Sequence, residues 1–91
     1  MLKITEISDE KNMIELKLEG KIVGTCVDYL KEVCTEFDKQ DKDVVLLDFS
    51  GVRYVESGGV EMLQRLMAGK VRIKNCPIFI EELLINHSNK E

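Results

Sequence analysis

Apolar and polar residues alternate over the first part of the chain, which is the pattern of strands with one buried and one exposed face. Residues 2–7 predict a short first strand and residues 14–19 a second one. The polar segment 9–12 between them is typical of a turn, so the two strands are expected to form a hairpin. Gly20 is expected to end the second strand.

The pattern then changes to a helical one. Residues 25–39 place apolar side chains three or four positions apart, which puts them on one stripe of a helix. Thr25 is the expected N-cap, and Asp28 lies in the first turn, where its charge complements the helix dipole. Cys26 and Cys34 fall on the apolar stripe, so core packing is expected for both rather than redox or metal chemistry.

A continuous apolar run at residues 44–47, with Phe49 after Asp48, predicts a central strand that is flanked on both sides. The carboxylate near the end of this strand is expected to accept hydrogen bonds from nearby loop N–H groups. Gly51 is expected to turn the chain, and residues 52–55 are expected to cross the end of the sheet.

Two further helices and one strand complete the pattern. Residues 58–68 predict a second helix, with Ser57 in the position of its cap. Residues 71–74 alternate as a fourth strand, and Pro77 fits the first position of a third helix. The apolar residues expected to hold these two helices to the core are Val60, Leu63, Leu66 and Met67 in the second, and Ile80, Leu83 and Leu84 in the third.

The order β-β-α-β-α-β-α predicts an α/β fold with about four strands in one mixed sheet. Right-handed crossovers that all step the same way place every helix on one face of that sheet. A length of 91 residues allows one hydrophobic core. The domain is expected to span residues 1–86, with a polar C-terminal tail at residues 87–91.

Composition narrows the class of protein. Acidic residues outnumber basic ones by 17 to 13, and the net charge of -4 is spread without a basic stripe, so nucleic acid is not an expected partner. The three cysteines are odd in number and lack metal-site spacing, which favours reduced thiols in a cytoplasmic protein. Residues 1–7 do not resemble a signal peptide, and no stretch is long enough for insertion into a membrane.

Residues 44–60 read VVLLDFSGVRYVESGGV, which closely resembles the core pattern of the STAS domain family. That pattern is an apolar strand, Asp, an apolar residue, Ser-Gly-Val, and a serine-containing loop that opens a helix. Residues 18–24 and 71–77 are similar to the segments before the family's first and third helices, and the resemblance covers roughly residues 2–84. It implies a STAS-like fold and the function of an anti-sigma-factor antagonist or a related signalling module.

In that family the loop serine can be phosphorylated by a partner kinase that is also an anti-sigma factor. By resemblance, Ser57 falls at this serine, Glu56 at the aspartate before it, and Gly59 at the glycine two positions later. Glu56 is one methylene longer than aspartate, and Gly58 stands where the family has a second Ser or Ala. From the residues alone two roles stay open for the Ser57 hydroxyl, an ordinary helix cap or the acceptor of a phosphate.

Binding to another protein, rather than catalysis, is the expected activity. No cofactor or metal is expected, because the one histidine, His87, lies in the polar tail without a companion acid or thiol. The resemblance implies an anti-sigma factor or serine kinase-like protein as the partner. The alternative is a regulatory subunit that docks on the ATPase of a membrane transporter, and a homo-oligomer also stays open. The residues expected to contact the partner are Tyr54, Glu56, Ser57, Gly58, Gly59, Glu61 and Met62.

Overall fold

The computed structural model describes residues 1–88, with side chains through Ile85. Its seven elements follow the predicted order, which confirms the fold class. They are β1 (Leu2–Asp9), β2 (Met13–Ile22), α1 (Thr25–Lys39), β3 (Val44–Val55), α2 (Ser57–Met67), β4 (Val71–Lys74) and α3 (Ile78–Ser88).

The four strands form one mixed sheet in the order β1-β2-β3-β4. β1 pairs with β2 in antiparallel fashion, whereas β2 with β3 and β3 with β4 are parallel pairs. The parallel pairs require crossovers, which α1 and α2 provide. β3 therefore lies between two neighbours, as its continuous apolar run predicts.

The core lies between the sheet and the three helices. Alternate residues of β2 and β3 are buried, and side chains of all three helices join them in one cluster, which confirms that the helices cover one face. The most fully enclosed side chains are Phe49, Ile14, Leu18, Ile22, Leu30, Leu47, Leu63, Ile80, Val45 and Cys34.

The prediction that Gly51 turns the chain is wrong. β3 continues through this residue to Val55, because β2 extends alongside it and keeps the parallel pairing, with Glu19 opposite Gly51 and Ile22 opposite Val55. A Cβ at Gly51 would lie 2.7 Å from the Glu19 Cγ. The glycine is therefore needed for close approach of two strands and not for a turn.

Gly20 does not end β2 either, because the strand continues to Ile22. Its φ of +113° is one that L side chains rarely adopt, and an added Cβ would lie 2.2 Å from the Met1 carbonyl oxygen. Gly20 remains paired with Leu2 of β1 and Val52 of β3, and the register between β2 and β3 shifts directly after it.

Three helical details also differ from the prediction. Gly24, with φ of +54°, is the N-cap of α1, and Thr25 is the first helical residue. Met67 is 37% exposed, because the buried side of α2 centres on its first two turns. Leu83 is 41% exposed, since Ile80 and Leu84 supply the inward-facing side of α3.

Within the residues that the structure describes, no helix is long and apolar enough to cross a membrane. The helix α3 extends to Ser88. Residues 89–91 of the predicted tail lie outside the described residues, and the domain boundary at residue 86 stays a prediction.

Candidate functional site

The starts of α1 and α2 lie together at one edge of the sheet. The parallel strands β2 and β3 end side by side, with Ile22 opposite Val55. The Glu56 N–H then donates a hydrogen bond to the Ile22 carbonyl over 3.1 Å. The chain leaves both strands at this edge, where loops of parallel sheets commonly form binding sites.

Glu56 links the two helix starts. It occupies the N-cap of α2 with extended backbone angles, φ of -76° and ψ of 167°. Its carboxylate reaches 32 residues back in sequence, where the Gly24 N–H donates to Oε2 over 3.0 Å. A carboxylate at helix N-termini is favoured by the helix dipoles, so this contact stabilises the junction. The sequence-based expectation had assigned no such contact to Glu56.

Ser57 is the first helical residue of α2, and it is exposed. The prediction that it caps the helix is wrong: Glu56 takes the N-cap position, and no side-chain hydrogen bond caps this end of α2 in the described part of the chain. A capping residue needs non-helical backbone angles, which Ser57 does not have. Its hydroxyl is therefore not used in a cap.

The two glycines after Ser57 have different roles. Gly58 is exposed, and an added Cβ would meet nothing closer than the Glu56 Oε2 at 3.9 Å. Gly59 is buried, and an added Cβ would lie 2.9 Å from the Val55 Cγ1 and 3.2 Å from the Ile22 Cγ2. Close packing therefore requires a glycine at position 59 but not at position 58. Gly58 instead leaves Ser57 without a neighbouring side chain on that side.

The other residues predicted to contact a partner differ in exposure. Tyr54 is 49% exposed at the end of β3, opposite Lys21 of β2, and Glu61 is exposed on α2. Met62 is 6% exposed and belongs to the core cluster. Met62 therefore supports α2 from beneath in the free protein, and a partner contact through it stays a prediction.

A groove between α1 and α2 begins at Gly58. It has a volume of about 200 Å³. Its walls carry two cationic side chains, Lys31 from α1 and Arg65 from α2, together with the acidic Asp28. The sequence pattern placed Lys31 off the apolar stripe of α1, but it could not show that Arg65 lies across from it. The full lining is Val27, Asp28, Lys31, Gly58, Met62, Arg65 and Leu66.

Asp48 lies apart from this junction and accepts local hydrogen bonds, as expected, but it does so from within β3 and not from the end of the strand. Its Oδ1 accepts hydrogen bonds from the Ser50 N–H over 2.9 Å and from the Asn75 Nδ2 over 3.2 Å. The bond from the Ser50 N–H is the main cause of a lowered pKa of the Asp48 carboxyl, and Lys74 contributes by its charge. Asp48 thus ties the middle of β3 to Asn75, which lies between β4 and α3.

The cysteines form no reactive centre. Cys34 is enclosed in the core, and burial raises its pKa to about 12, so the thiol stays protonated. Burial also raises the pKa of Cys76, and Cys26 is partly buried against the core. Among the described residues, no group of three or more His, Cys, Asp or Glu side chains could hold a metal ion. The side chain of His87 lies outside the described residues.

Solved structures with a similar fold include two antagonists of anti-sigma factors. The antagonist from Mycobacterium paratuberculosis aligns with a TM-score of 0.67 and 13% identity, over 80% of this chain and 66% of that one. The antagonist SpoIIAA in its unphosphorylated form aligns with a TM-score of 0.62 and 14% identity, over 98% of this chain and 100% of that one. At these identities the likeness is one of fold.

A search of curated proteins finds no significant match to the sequence. The family model of the STAS domain, in contrast, matches residues 5–80. The matched region runs from β1 into α3 and contains the Glu56–Gly59 junction. The chain therefore belongs to the STAS domain family.

Proposed function

We propose that the protein is a regulator of the anti-sigma-factor antagonist type, which binds an anti-sigma factor or serine kinase-like partner through the start of α2. Phosphorylation of Ser57 by that partner releases the complex. The observation that supports this proposal is the position of Ser57: an exposed hydroxyl in the first turn of α2, with the open Gly58 beside it and no capping bond to hold it.

A phosphate at this position would change binding more than folding. It adds about -1.5 to -2 charges at neutral pH, which the free N–H groups and dipole of a helix start tolerate. A partner packed over the same surface would have to bury that charge beside the carboxylates of Glu56 and Glu61. Burial of a charged group without a new cationic partner is costly, so the complex dissociates while the domain stays folded.

In this proposal the chain is a substrate of its partner and carries out no reaction of its own. It acts in the cytoplasm, where a sigma-factor regulator and a soluble kinase would meet it.

The test compares Ser57→Asp with two controls, Ser57→Ala and Gln40→Glu. Gln40→Glu adds one negative charge at the C-terminal end of α1, whereas Ser57 lies near the start of that helix. The purified partner is titrated with each variant. We expect Ser57→Asp to lower the affinity at least about tenfold, or roughly 1.4 kcal/mol. The two control variants are expected to bind as the wild type does.

The unfolding free energy of Ser57→Asp is measured in parallel and should stay within about 0.5 kcal/mol of the wild type, as expected for an exposed substitution. Equal partner affinity for Ser57→Asp and the wild type would defeat the proposal. A loss of affinity that is matched by the Gln40→Glu control would also defeat it, because the effect would then be one of net charge alone.

One observation favours the second candidate, a STAS subunit that docks on the ATPase of a membrane transporter without being phosphorylated. The Glu56 carboxylate is held by the Gly24 N–H, so it is not free to engage a kinase. Capture of partners from the native cytosol and membrane fractions separates the two candidates. A kinase-like protein supports the first, and an ATPase subunit supports the second.

A further inference from the structure

Glu56 connects the start of α2 to two other segments of the chain. Its N–H donates to the Ile22 carbonyl at the end of β2, and its carboxylate accepts the Gly24 N–H at the start of α1. In the part of the chain that the structure describes, no other hydrogen bond joins residues 24–28 to residues 56–60. The Glu56 carboxylate is therefore the polar link between the starts of the two helices.

This carboxylate lies close to the residue proposed to carry a phosphate. Its Oε2 lies 3.9 Å from the position of a Cβ at Gly58, so it stays near the first turn of α2. Ser57 is the residue between Glu56 and Gly58, and it is exposed. A negative charge on the Ser57 side chain would thus be introduced beside the Glu56 carboxylate, where like charges repel each other.

Charged groups of both signs surround this junction. Asp28 and Lys31 line the groove between α1 and α2, and Lys21 is exposed near the end of β2. Among the described residues, none of these side chains forms an ion pair with Glu56. The charge of the Glu56 carboxylate is therefore not neutralised by a contacting cation, and a new charge on Ser57 acts on it directly.

The Gly24 peptide is able to respond to a change at Glu56. Gly24 is the N-cap of α1, with φ of +54° and ψ of -131°. It has open space around it, because an added Cβ would meet no atom within 4 Å. Its carbonyl accepts the Val27 N–H within the first turn of α1. Loss of the bond to Glu56 therefore frees the Gly24 peptide without opening the core.

We propose that Glu56 is a positioning residue, through which a negative charge on Ser57 loosens the start of α1. This inference rests on the proposed function, in which Ser57 is the residue that carries the phosphate. The phosphate repels the Glu56 carboxylate, and the hydrogen bond from the Gly24 N–H opens more often. Phosphorylation thus alters the surface that a partner meets on both helices and not on α2 alone.

The effect is expected to be local. The same negative charge interacts favourably with the dipole of α2, which offsets the repulsion in the free energy of unfolding. Amide hydrogen exchange reports such local opening residue by residue. A buried amide of β3, that of Leu47, therefore serves as the internal control for the stability of the whole domain.

The test measures amide hydrogen exchange by NMR on the full chain, without any partner, at about pH 6.5, where carboxylates are ionised. Ser57→Asp supplies the charge, and Ser57→Asn is the neutral control of nearly the same shape. We expect exchange at Gly24 to be about threefold faster with aspartate than with asparagine, as is usual for exposed charge pairs. Exchange at Leu47 should be equal in the two variants.

The same comparison is then made in Glu56→Gln. Glutamine keeps an oxygen that can accept the Gly24 N–H but removes the charge. The aspartate and asparagine variants of Ser57 should exchange at equal rates at Gly24 in this background, because the pair of charges is gone. A direct effect of the aspartate on the exchange chemistry of Gly24 would remain in both backgrounds, so this comparison separates it from coupling through Glu56.

Lys31→Gln tests the nearest cation of the groove. We expect the difference between the Ser57 variants to persist in this background. If it disappeared in Lys31→Gln and remained in Glu56→Gln, attraction of Lys31 would explain the effect and the proposal would be wrong. Equal exchange at Gly24 for Ser57→Asp and Ser57→Asn would overturn it as well. So would an equal rise at Leu47, since the whole domain would then be less stable.

These rates are measured without a partner or a kinase, so the two proposals fail in different ways. Equal partner affinity for Ser57→Asp and the wild type would defeat the phosphorylation switch but leave the exchange at Gly24 unaffected. A lower partner affinity of Ser57→Asp with unchanged exchange at Gly24 would keep the switch and overturn the role of Glu56.

Discussion

Substitution of Gly59 by alanine tests the close packing of α2 on the sheet. The added Cβ would lie 2.9 Å from the Val55 Cγ1, 3.2 Å from the Ile22 Cγ2 and 3.4 Å from the Ile22 carbonyl oxygen. All three neighbours belong to the ends of β2 and β3, where the strands are paired and have little room to move. The helix must therefore shift outward or the two side chains must leave their preferred rotamers.

The magnitude follows from two opposing effects. Insertion of extra volume into a packed core costs about 1–3 kcal/mol. Alanine is favoured over glycine within a helix by about 1 kcal/mol, which offsets part of that cost. We therefore expect Gly59→Ala to lower the free energy of unfolding by up to about 2 kcal/mol.

Gly58→Ala is the matched control, because it makes the same chemical change one residue earlier. Its Cβ would meet only the Glu56 Oε2 at 3.9 Å, so the helical preference acts alone and raises the free energy of unfolding by up to about 1 kcal/mol. Urea denaturation followed by far-UV circular dichroism measures both variants. We expect them to differ by roughly 2 kcal/mol, or about 8–16 °C in Tm for a domain of this size. Equal stabilities, or a more stable Gly59→Ala, would refute the packing described for this junction.

Three other predictions concern single side chains. Glu56→Asp shortens the side chain that accepts a hydrogen bond from the Gly24 N–H. Loss of this bond, roughly 1 kcal/mol of local stability, should raise the rate of amide hydrogen exchange at Gly24 about fivefold. An unchanged exchange rate, measured by NMR, would contradict the role given to this bond. The folded-state pKa of Asp48 is lowered, so its carboxylate stabilises the fold above about pH 3.9 and the contribution is lost as pH falls through the folded pKa. The stability difference between the wild type and Asp48→Asn, measured in urea, should therefore narrow on acidification, and a constant difference would argue against it. Burial raises the pKa of the Cys34 thiol from 9.0 to about 12, so this thiol should have about a thousandfold less thiolate at neutral pH. Cys34 should therefore be the slowest of the three cysteines to react with iodoacetamide. Equal reaction rates for all three thiols would rule out its burial.

Local periodicity was sufficient to predict most of the elements, because the buried face of an amphipathic strand or helix repeats in sequence. Ile14, Leu16 and Leu18 alternate with charged residues, and the structure buries all three. In residues 25–39 the apolar side chains lie three or four positions apart, which likewise predicts α1 with the bounds that the structure shows. The order of these elements and the preference for right-handed crossovers then predicted one mixed sheet with its helices on one face, in agreement with the family resemblance at residues 44–60.

The roles of glycines and polar residues depended on contacts between distant segments, and the sequence could not show them. Gly51 continues a strand because Glu19 of β2 lies against it. Lys42 lies in a polar segment that shows no apolar periodicity, yet it is only 7% exposed. Its ammonium donates to the Asp9 Oδ1 over 2.5 Å and to the Glu10 carbonyl.

The same limit applies to the candidate site. The sequence placed Ser57 at the start of a helix and identified its glycine neighbours, but the bond from the Gly24 N–H to Glu56 joins residues 32 positions apart. The apolar run of α3 also could not show which side is buried, because apolar residues occur all around the helix. Only the packing on α2 distinguishes the enclosed Ile80 and Leu84 from the exposed apolar residues.

The most direct test of the proposed switch is the intact mass of the protein purified from its own source, recorded with and without phosphatase treatment. We predict a population heavier by one phosphate group, which phosphatase removes and which fragmentation assigns to Ser57. A phosphate on another residue, or an unmodified mass from cells in both growing and stressed conditions, would contradict the account.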